Sequence, residues 1–147
     1  MRMQNTQADC GPYSLLNALR ARGIHRGSDE LTTLAGTTAQ NGTSVTKLLK
    51  AAKSLSESCG LVPWRIRENR AEIARSILVE RLSAGRPCLC VVDEGMHWVA
   101  VVGLLGPNQL LVADSADAEL VVGTDIAAFM NRWRYRSGTP NYEGIVL

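Results

Sequence analysis

The sequence is poor in the residues from which metal sites and disulfide scaffolds are built. It contains two histidines and four cysteines in 147 residues. Cys10, Cys59, Cys88 and Cys90 lack the spacing of a secreted disulfide framework, so reduced cytoplasmic chemistry is expected. Cys88 and Cys90 form a C-x-C pair, but there is no second ligand pair to complete a zinc site. They read better as small apolar side chains on one face of a strand, and no metal or cofactor is expected. Long apolar runs are missing too. None reaches the roughly 18 residues that cross a bilayer, and the longest is broken by Gly103 and Gly106. The first residues, Met-Arg-Met-Gln-Asn-Thr-Gln, are polar and lack the apolar region of a signal peptide. Repeats, low-complexity tracts and linkers are absent. Charge is nearly balanced at +2, with 16 basic residues scattered along the chain. The densest basic group is Arg132, Arg134 and Arg136 around Trp133 and Tyr135. Such a group can touch nucleic acid, but it reads as a solvated helix end with one aromatic turned inward, and no nucleic-acid partner is expected.

What is present suits one domain over residues 1–147 with a real core, since 46% of residues are hydrophobic. The first half reads as helical. Residues 11–22 carry Leu15, Leu16 and Leu19 at helical spacing, with Pro12 in the first turn and Gly23 at the stop. Ser28 opens a second helix through Leu31 and Leu34. A third runs from Ser44 to about Ser58, where Gly60 ends it. Residues 61–67 make a strand, and Asn69 with Glu72 forms a capping-box start for a fourth helix ending near Gly85. Period 2 then takes over: residues 87–92, 97–105 and 109–114 are strand candidates, the last two joined by a Gly-Pro-Asn turn. A further strand is expected over 119–122, a last helix capped by Thr124 or Asp125 and reaching Trp133, and a closing strand over 144–147. Helices followed by antiparallel strands predict an α+β fold with the helices on one side of the sheet.

A thiol attacks as its thiolate, a form favoured by a helix N-terminus and by a nearby imidazolium. Cys10 stands at the start of the first helix, in Asp-Cys-Gly-Pro-Tyr-Ser-Leu-Leu, and Gly11 leaves room for a substrate backbone. A lone cysteine there is usually structural. His97 opens a strongly apolar strand, where its side chain can face a cleft while the strand holds the backbone. Pairing about the turn at residues 106–108 brings Asp114 near residues 99–101, within reach of the imidazole. Taken singly, His97 reads as a satisfied strand histidine and Asp114 as a turn cap; with Cys10 they read as nucleophile, base and orienting carboxylate. Asp93 and Asp117 are rival orienting groups. Gln4, six residues before Cys10, can supply a side-chain donor to an oxyanion, with Asn5 and Gln7 as local competitors. Trp98 adjoins the base and can shape a substrate groove. His25 reads as an exposed loop residue.

The block Gln-Asn-Thr-Gln-Ala-Asp-Cys-Gly-Pro-Tyr-Ser-Leu, with Gln4 ahead of Cys10 and Gly11, resembles the signature of the C39 family of papain-like cysteine peptidases, which remove double-glycine leaders from bacteriocin precursors. Asn41-Gly42-Thr43-Ser44 with the helix after it, His97-Trp98-Val99 and Val112-Ala113-Asp114 are similar to later blocks of that family, in the same order. Ser115 stands where the family commonly has proline. The resemblance implies a papain-like fold and a thiol endopeptidase without metal or cofactor, with Gln4 and the Cys10 backbone N–H forming the oxyanion hole. It also implies a narrow cleft that admits Gly-Gly by excluding any Cβ. Without membrane helices or a Walker-type loop, the chain is expected to be an excised transporter domain or a stand-alone enzyme, including a toxin effector delivered between bacteria. Its expected partners are a peptide or protein bearing Gly-Gly, and an immunity protein or an ABC transporter. Two other activities share these features: an acyltransferase or deamidase using the same triad, and a non-catalytic peptide-binding domain.

Overall fold

The computed structural model describes residues 9–38, 42–116 and 121–147. Its elements run α1 (Cys10–Ala21), α2 (Ser28–Ala35), α3 (Val45–Ser54), α4 (Ser56–Cys59), β1 (Trp64–Glu68), α5 (Ala71–Ser83), β2 (Cys88–Val92), β3 (His97–Leu104), β4 (Gln109–Ala113), β5 (Val121–Asp125), α6 (Ile126–Trp133) and β6 (Tyr142–Val146). The strands form one sheet in the order β1-β6-β2-β3-β4-β5, antiparallel at every pairing. The α+β expectation is met.

The helices, however, cover both faces of the sheet rather than one. Leu89, Trp98, Ala100, Ala113 and Ile145 pack with Leu15, Leu16 and Leu19 of α1 and with Leu31 and Leu48 of α2 and α3. The alternate positions, Cys88, Cys90, Val92, Val99, Val101 and Val112, pack with Leu78 of α5 and with Phe129 and Trp133 of α6. The cause is legible in β3. Residues 98–101 are all buried, so this strand is apolar on both sides and needs a helix layer on each. As period 2 requires, Cys88 and Cys90 lie on the same face.

Local chemistry explains where the elements depart from expectation. The helix expected from Ser44 to Ser58 is two. Ser44 caps α3 by accepting the Lys47 N–H at 3.2 Å, but Ser54 and Ser56 then bond back to the Ala51 and Lys53 carbonyls, each at 2.7 Å. Such side-chain bonds compete with the helical ladder and break it at Leu55. The capping box at Asn69 and Glu72 does not form. Arg70 is the N-cap of α5 and makes no side-chain cap. Instead the Glu68 carboxylate accepts the N–H groups of Asn69 and Arg70 at 3.0 and 3.1 Å, while Asn69 Oδ1 accepts the Asn141 N–H at 3.0 Å. Asn69 therefore joins β1 to the approach of β6. The expected strand over 119–122 is β5, which begins no earlier than Val121 in the described residues and continues to Asp125.

The pairing of β3 with β4 positions the site. Ala100 lies opposite Ala113 and Val101 opposite Val112, with a bulge between Val101 and Gly103. One further step sets Asp114 beside Val99, on the face that also carries His97. At the middle of the sheet, β6 passes so close to β2 that a Cβ added at Gly144 would lie 2.3 Å from the Leu89 carbonyl oxygen. Gly144→Ala is expected to destabilise the chain by about 1–3 kcal/mol, read from the urea midpoint. An unchanged midpoint would show that β2 and β6 separate without cost.

Candidate active site

Cys10 is the first residue of α1 and is 6% exposed. Its backbone N–H belongs to the first turn, whose donors have no intrahelical acceptor, and its sulfur sits at the positive end of the helix dipole. The start of α1 is fixed by contact with Thr43: a Cβ at Gly11 would lie 2.8 Å from the Thr43 Cβ. The space beside Gly11 thus belongs to Thr43. The same threonine accepts the Trp98 indole N–H on its carbonyl oxygen at 3.0 Å. One residue therefore braces both the helix that carries Cys10 and the strand that carries His97.

His97 opens β3 opposite Val92. Its Nε2–H donates to Asp114 Oδ1 at 2.7 Å, and Cys10 lies within hydrogen-bonding reach of the same ring. With Nε2 committed to Asp114, Nδ1 is the nitrogen left available to a thiol. Burial alone would depress the imidazole; the hydrogen bonds to Asp114 and Cys10 and the charges of both outweigh it and hold His97 at about 9. Burial conversely pushes the Asp114 carboxyl up. Its bonds from His97, the Ala116 N–H and Arg132 prevail and hold it well below the usual carboxylate range. Thiol, imidazole and carboxylate thus follow one another in the order that acyl transfer by a thiolate requires.

Of the carboxylates weighed from sequence that lie among the described residues, Asp114 is the one bonded to His97. Asp93 faces Arg132 instead, accepting Nε and Nη2 at 2.8 and 2.9 Å. Asp117 lies outside the described residues, as do Gln4, Asn5 and Gln7. Of the expected oxyanion donors, the described residues hold the Cys10 N–H.

Sequence reasoning missed Arg132. It is not a solvated helix end: Nη2 also donates to Asp114 Oδ2 at 3.0 Å. Only Trp133 beside it, 1% exposed, behaves as the inward-turned aromatic. Nothing in the local spacing signals the arginine, because its two acidic partners come from the β2–β3 turn and from the residue after β4. The turn between β2 and β3 is also unusual, since Asp93 and Glu94 adopt φ of +56° and +58°. A left-handed backbone costs a non-glycine residue roughly 1–2 kcal/mol. Contacts with the end of α6 and the chain after it offset that cost. Asp93 N–H donates to the Arg132 carbonyl at 3.2 Å, and the Glu94 carboxylate accepts the N–H groups of Arg136 and Ser137 at 3.0 and 3.3 Å. The arginines at 132 and 136 are thereby engaged by carboxylates.

Met96 and Trp98, the neighbours of His97 in sequence, line a groove of about 380 Å³ together with Val45, Val91 and Tyr135. Met96 is 82% exposed at its edge. The other buried cysteines are of a different kind. Burial pushes the Cys88 thiol up to about 12 and raises that of Cys90 well above its ordinary value, which suits packing and not nucleophilic attack. His25 is exposed. Among the described residues no cluster of histidine, cysteine and carboxylate side chains is arranged to hold a metal ion, and no helix is long and apolar enough to cross a membrane.

Comparison with known proteins places this geometry in context. The peptidase domain of Streptococcus ComA, a bi-functional ABC transporter involved in quorum sensing, superimposes with a TM-score of 0.69 at 19% identity, over 99% of this chain and 95% of that one. A double-glycine-motif protease from an AMS/PCAT transporter, solved in complex with a leader peptide, gives 0.69 at 19% identity over 98% and 87%. A C39-like peptidase from Bacillus anthracis gives 0.71 at 14% identity over 99% and 92%. At these identities the likeness establishes the fold. No curated protein sequence matches the chain significantly. The sequence profile of the Peptidase C39 family, in contrast, matches residues 1–136, nearly the whole fold and all three residues of the thiol–imidazole–carboxylate array, and the chain belongs to that family.

Proposed function

We propose that the chain is a papain-like cysteine endopeptidase that cuts a peptide or protein after a Gly-Gly-type motif, through Cys10, His97 and Asp114. The observation that carries this reading is the array itself: a thiol at a helix start, an imidazole beside it, and a carboxylate 2.7 Å from the far nitrogen of that imidazole. His97 takes the Cys10 proton, and the thiolate attacks the scissile carbonyl. The resulting oxyanion is received by the Cys10 N–H and the Gln4 side-chain amide. The imidazolium then protonates the leaving amine, and water, deprotonated by His97, releases the acyl group. Asp114 holds the ring with Nδ1 toward sulfur throughout. No step needs a metal or an organic cofactor.

Family membership supports Gly-Gly as the recognised motif, as does the double-glycine protease among the structural relatives. The groove beside Met96 and Trp98 offers a seat for the substrate segment around the cut. Relatives drawn from ABC transporters favour removal of a leader peptide at the cytoplasmic side of such a transporter over action as a delivered toxin. Transfer to an amine in place of water uses the same three residues, and product masses with and without added amine separate the two.

Two outcomes are expected. Cys10→Ala abolishes cleavage of a Gly-Gly-containing leader peptide, followed by mass spectrometry; cutting at the wild-type rate by that variant would sink the assignment. The pH dependence has a definite sign. His97 is raised from its ordinary 6.5 to about 9, so the imidazolium paired with the thiolate persists to that pH and kcat/KM falls as pH rises through it. The contribution of this contact to folding stability is likewise complete below 6.5 and lost as pH rises through about 9. In Asp114→Asn the alkaline limb of kcat/KM moves down toward the ordinary imidazole value, and the rate falls on the order of a hundredfold. An alkaline limb unmoved in that variant would remove Asp114 from the triad.

A further inference from the structure

We propose that Arg132, near the C-terminal end of α6, is a positioning residue: its guanidinium bridges Asp114 and Asp93, fixing the Asp114 carboxylate against His97 and tying it to the turn from which His97 emerges. This rests on the triad proposed above and adds a fourth residue to it. The Asp114 oxygens are divided. Oδ1 receives His97 Nε2–H at 2.7 Å and the Ala116 N–H at 3.0 Å, and Oδ2 receives Arg132 Nη2 at 3.0 Å. A carboxylate held through one oxygen swivels about its terminal torsion, which is broad and nearly two-fold. Held through both, it keeps Oδ1 on the imidazole.

The guanidinium also holds Asp93, with Nε and Nη2 on its two oxygens, so that Nη2 serves both carboxylates. Only a planar fork with several donors reaches two carboxylates in this way; an ammonium group supplies a point charge. The position of Asp93 matters because Val92, immediately before it, pairs with His97 across the hairpin. One side chain from α6 therefore grips both the orienting carboxylate at the end of β4 and the turn that delivers the base on β3. As a device for stability alone the contact is weak, because the Arg132 and Asp93 side chains are 35% and 44% exposed and ion pairs of that kind contribute little. Its value lies in geometry.

Charge supports the same assignment. The groups around Asp114 are His97 from β3, Arg132 from α6 and Asp93 from the β2–β3 turn, with Cys10 of α1 beyond the imidazole. A guanidinium so close to the dyad would by itself oppose protonation of His97. Asp93 offsets it, so the guanidinium and Asp93 together leave the charge felt by the imidazole nearly unchanged.

The test is a carboxyl-carbon NMR titration of the whole chain, with the Asp114 resonance assigned by its loss in Asp114→Asn, alongside kcat and KM for a Gly-Gly-containing leader peptide. In Arg132→Gln the Asp114 midpoint is expected to rise above that of the wild type, with His97 and the Ala116 N–H still holding it down, and with kcat lowered about tenfold or more and KM little changed. Arg132→Lys, which keeps the charge and loses the fork, should fall between this variant and the wild type, and it carries the test if the glutamine variant does not fold. Asp93→Asn removes a neighbouring negative charge while leaving Arg132 in place, so it should move the Asp114 midpoint no higher than in the wild type. An Asp114 midpoint the same in Arg132→Gln and the wild type would overturn the proposal. So would an Asp93→Asn midpoint raised as far as that of Arg132→Gln, the mark of a general loosening of the turn. The titration needs no substrate, so it decides the role of Arg132 independently of whether the wild-type chain cuts the peptide.

Discussion

Burial of β3 on both faces is the constraint from which the rest of the structure follows. Trp98, Val99, Ala100 and Val101 alternate between the two sides of the sheet, and none of them tolerates water. One face is closed by α1 with α2 and α3 behind it, the other by α5 and α6. Because α1 is the layer laid directly over β3, its N-terminus comes to rest near the strand's first residue. Because α6 closes the opposite face, its last turn reaches the same end of the sheet from the other side. A thiol from one layer therefore comes near a histidine that belongs to neither, and a guanidinium from the other holds that histidine's carboxylate partner.

This arrangement also gives the three buried cysteines different surroundings. Cys88 and Cys90 lie on β2 under α5 and α6, where burial outweighs the opposing charges of Arg86 and Arg81 at Cys88 and pushes both thiols up. Cys10 is nearly as hidden by area, yet it occupies a helix start within reach of an imidazole that is itself held by a carboxylate. In general the orientation of surrounding dipoles and charges, and not depth alone, governs how readily a thiol ionises.

Much of the site was legible because its members mark element boundaries. Cys10 opens a helix signalled by Pro12 and its leucines, His97 opens a strand of continuous apolar residues, and Asp114 follows a strand set by the Gly-Pro-Asn turn. Antiparallel pairing about that turn was enough to bring Asp114 near β3, and the bulge after Val101 refined the register without changing the outcome. Arg132 was not legible, because an arginine on a solvent-facing helix position looks the same whether its partners are water or carboxylates 18 and 39 residues away. The two-sided helix packing was missed for a related reason. Chain order suggested helices first and sheet second, whereas the unbroken apolar run of β3, read as a strand buried on both faces, already required a second layer. At Asn69 the capping pattern was present in sequence, but Glu68 offered the backbone a nearer acceptor.

Thr43 ties together residues that are far apart in sequence. Its side chain fills the space left by Gly11, and its carbonyl holds the indole of Trp98. The wall of the groove and the helix start that carries Cys10 consequently share a single support, and neither can be remodelled alone. For laboratory evolution toward other substrates, this makes positions 11, 43 and 98 one unit of selection. A bulkier residue at 11 becomes acceptable only with a smaller one at 43, and any such exchange re-aims the indole that shapes the groove. Altered specificity in this scaffold is thus expected to arrive through paired substitutions on α1 and the segment before α3.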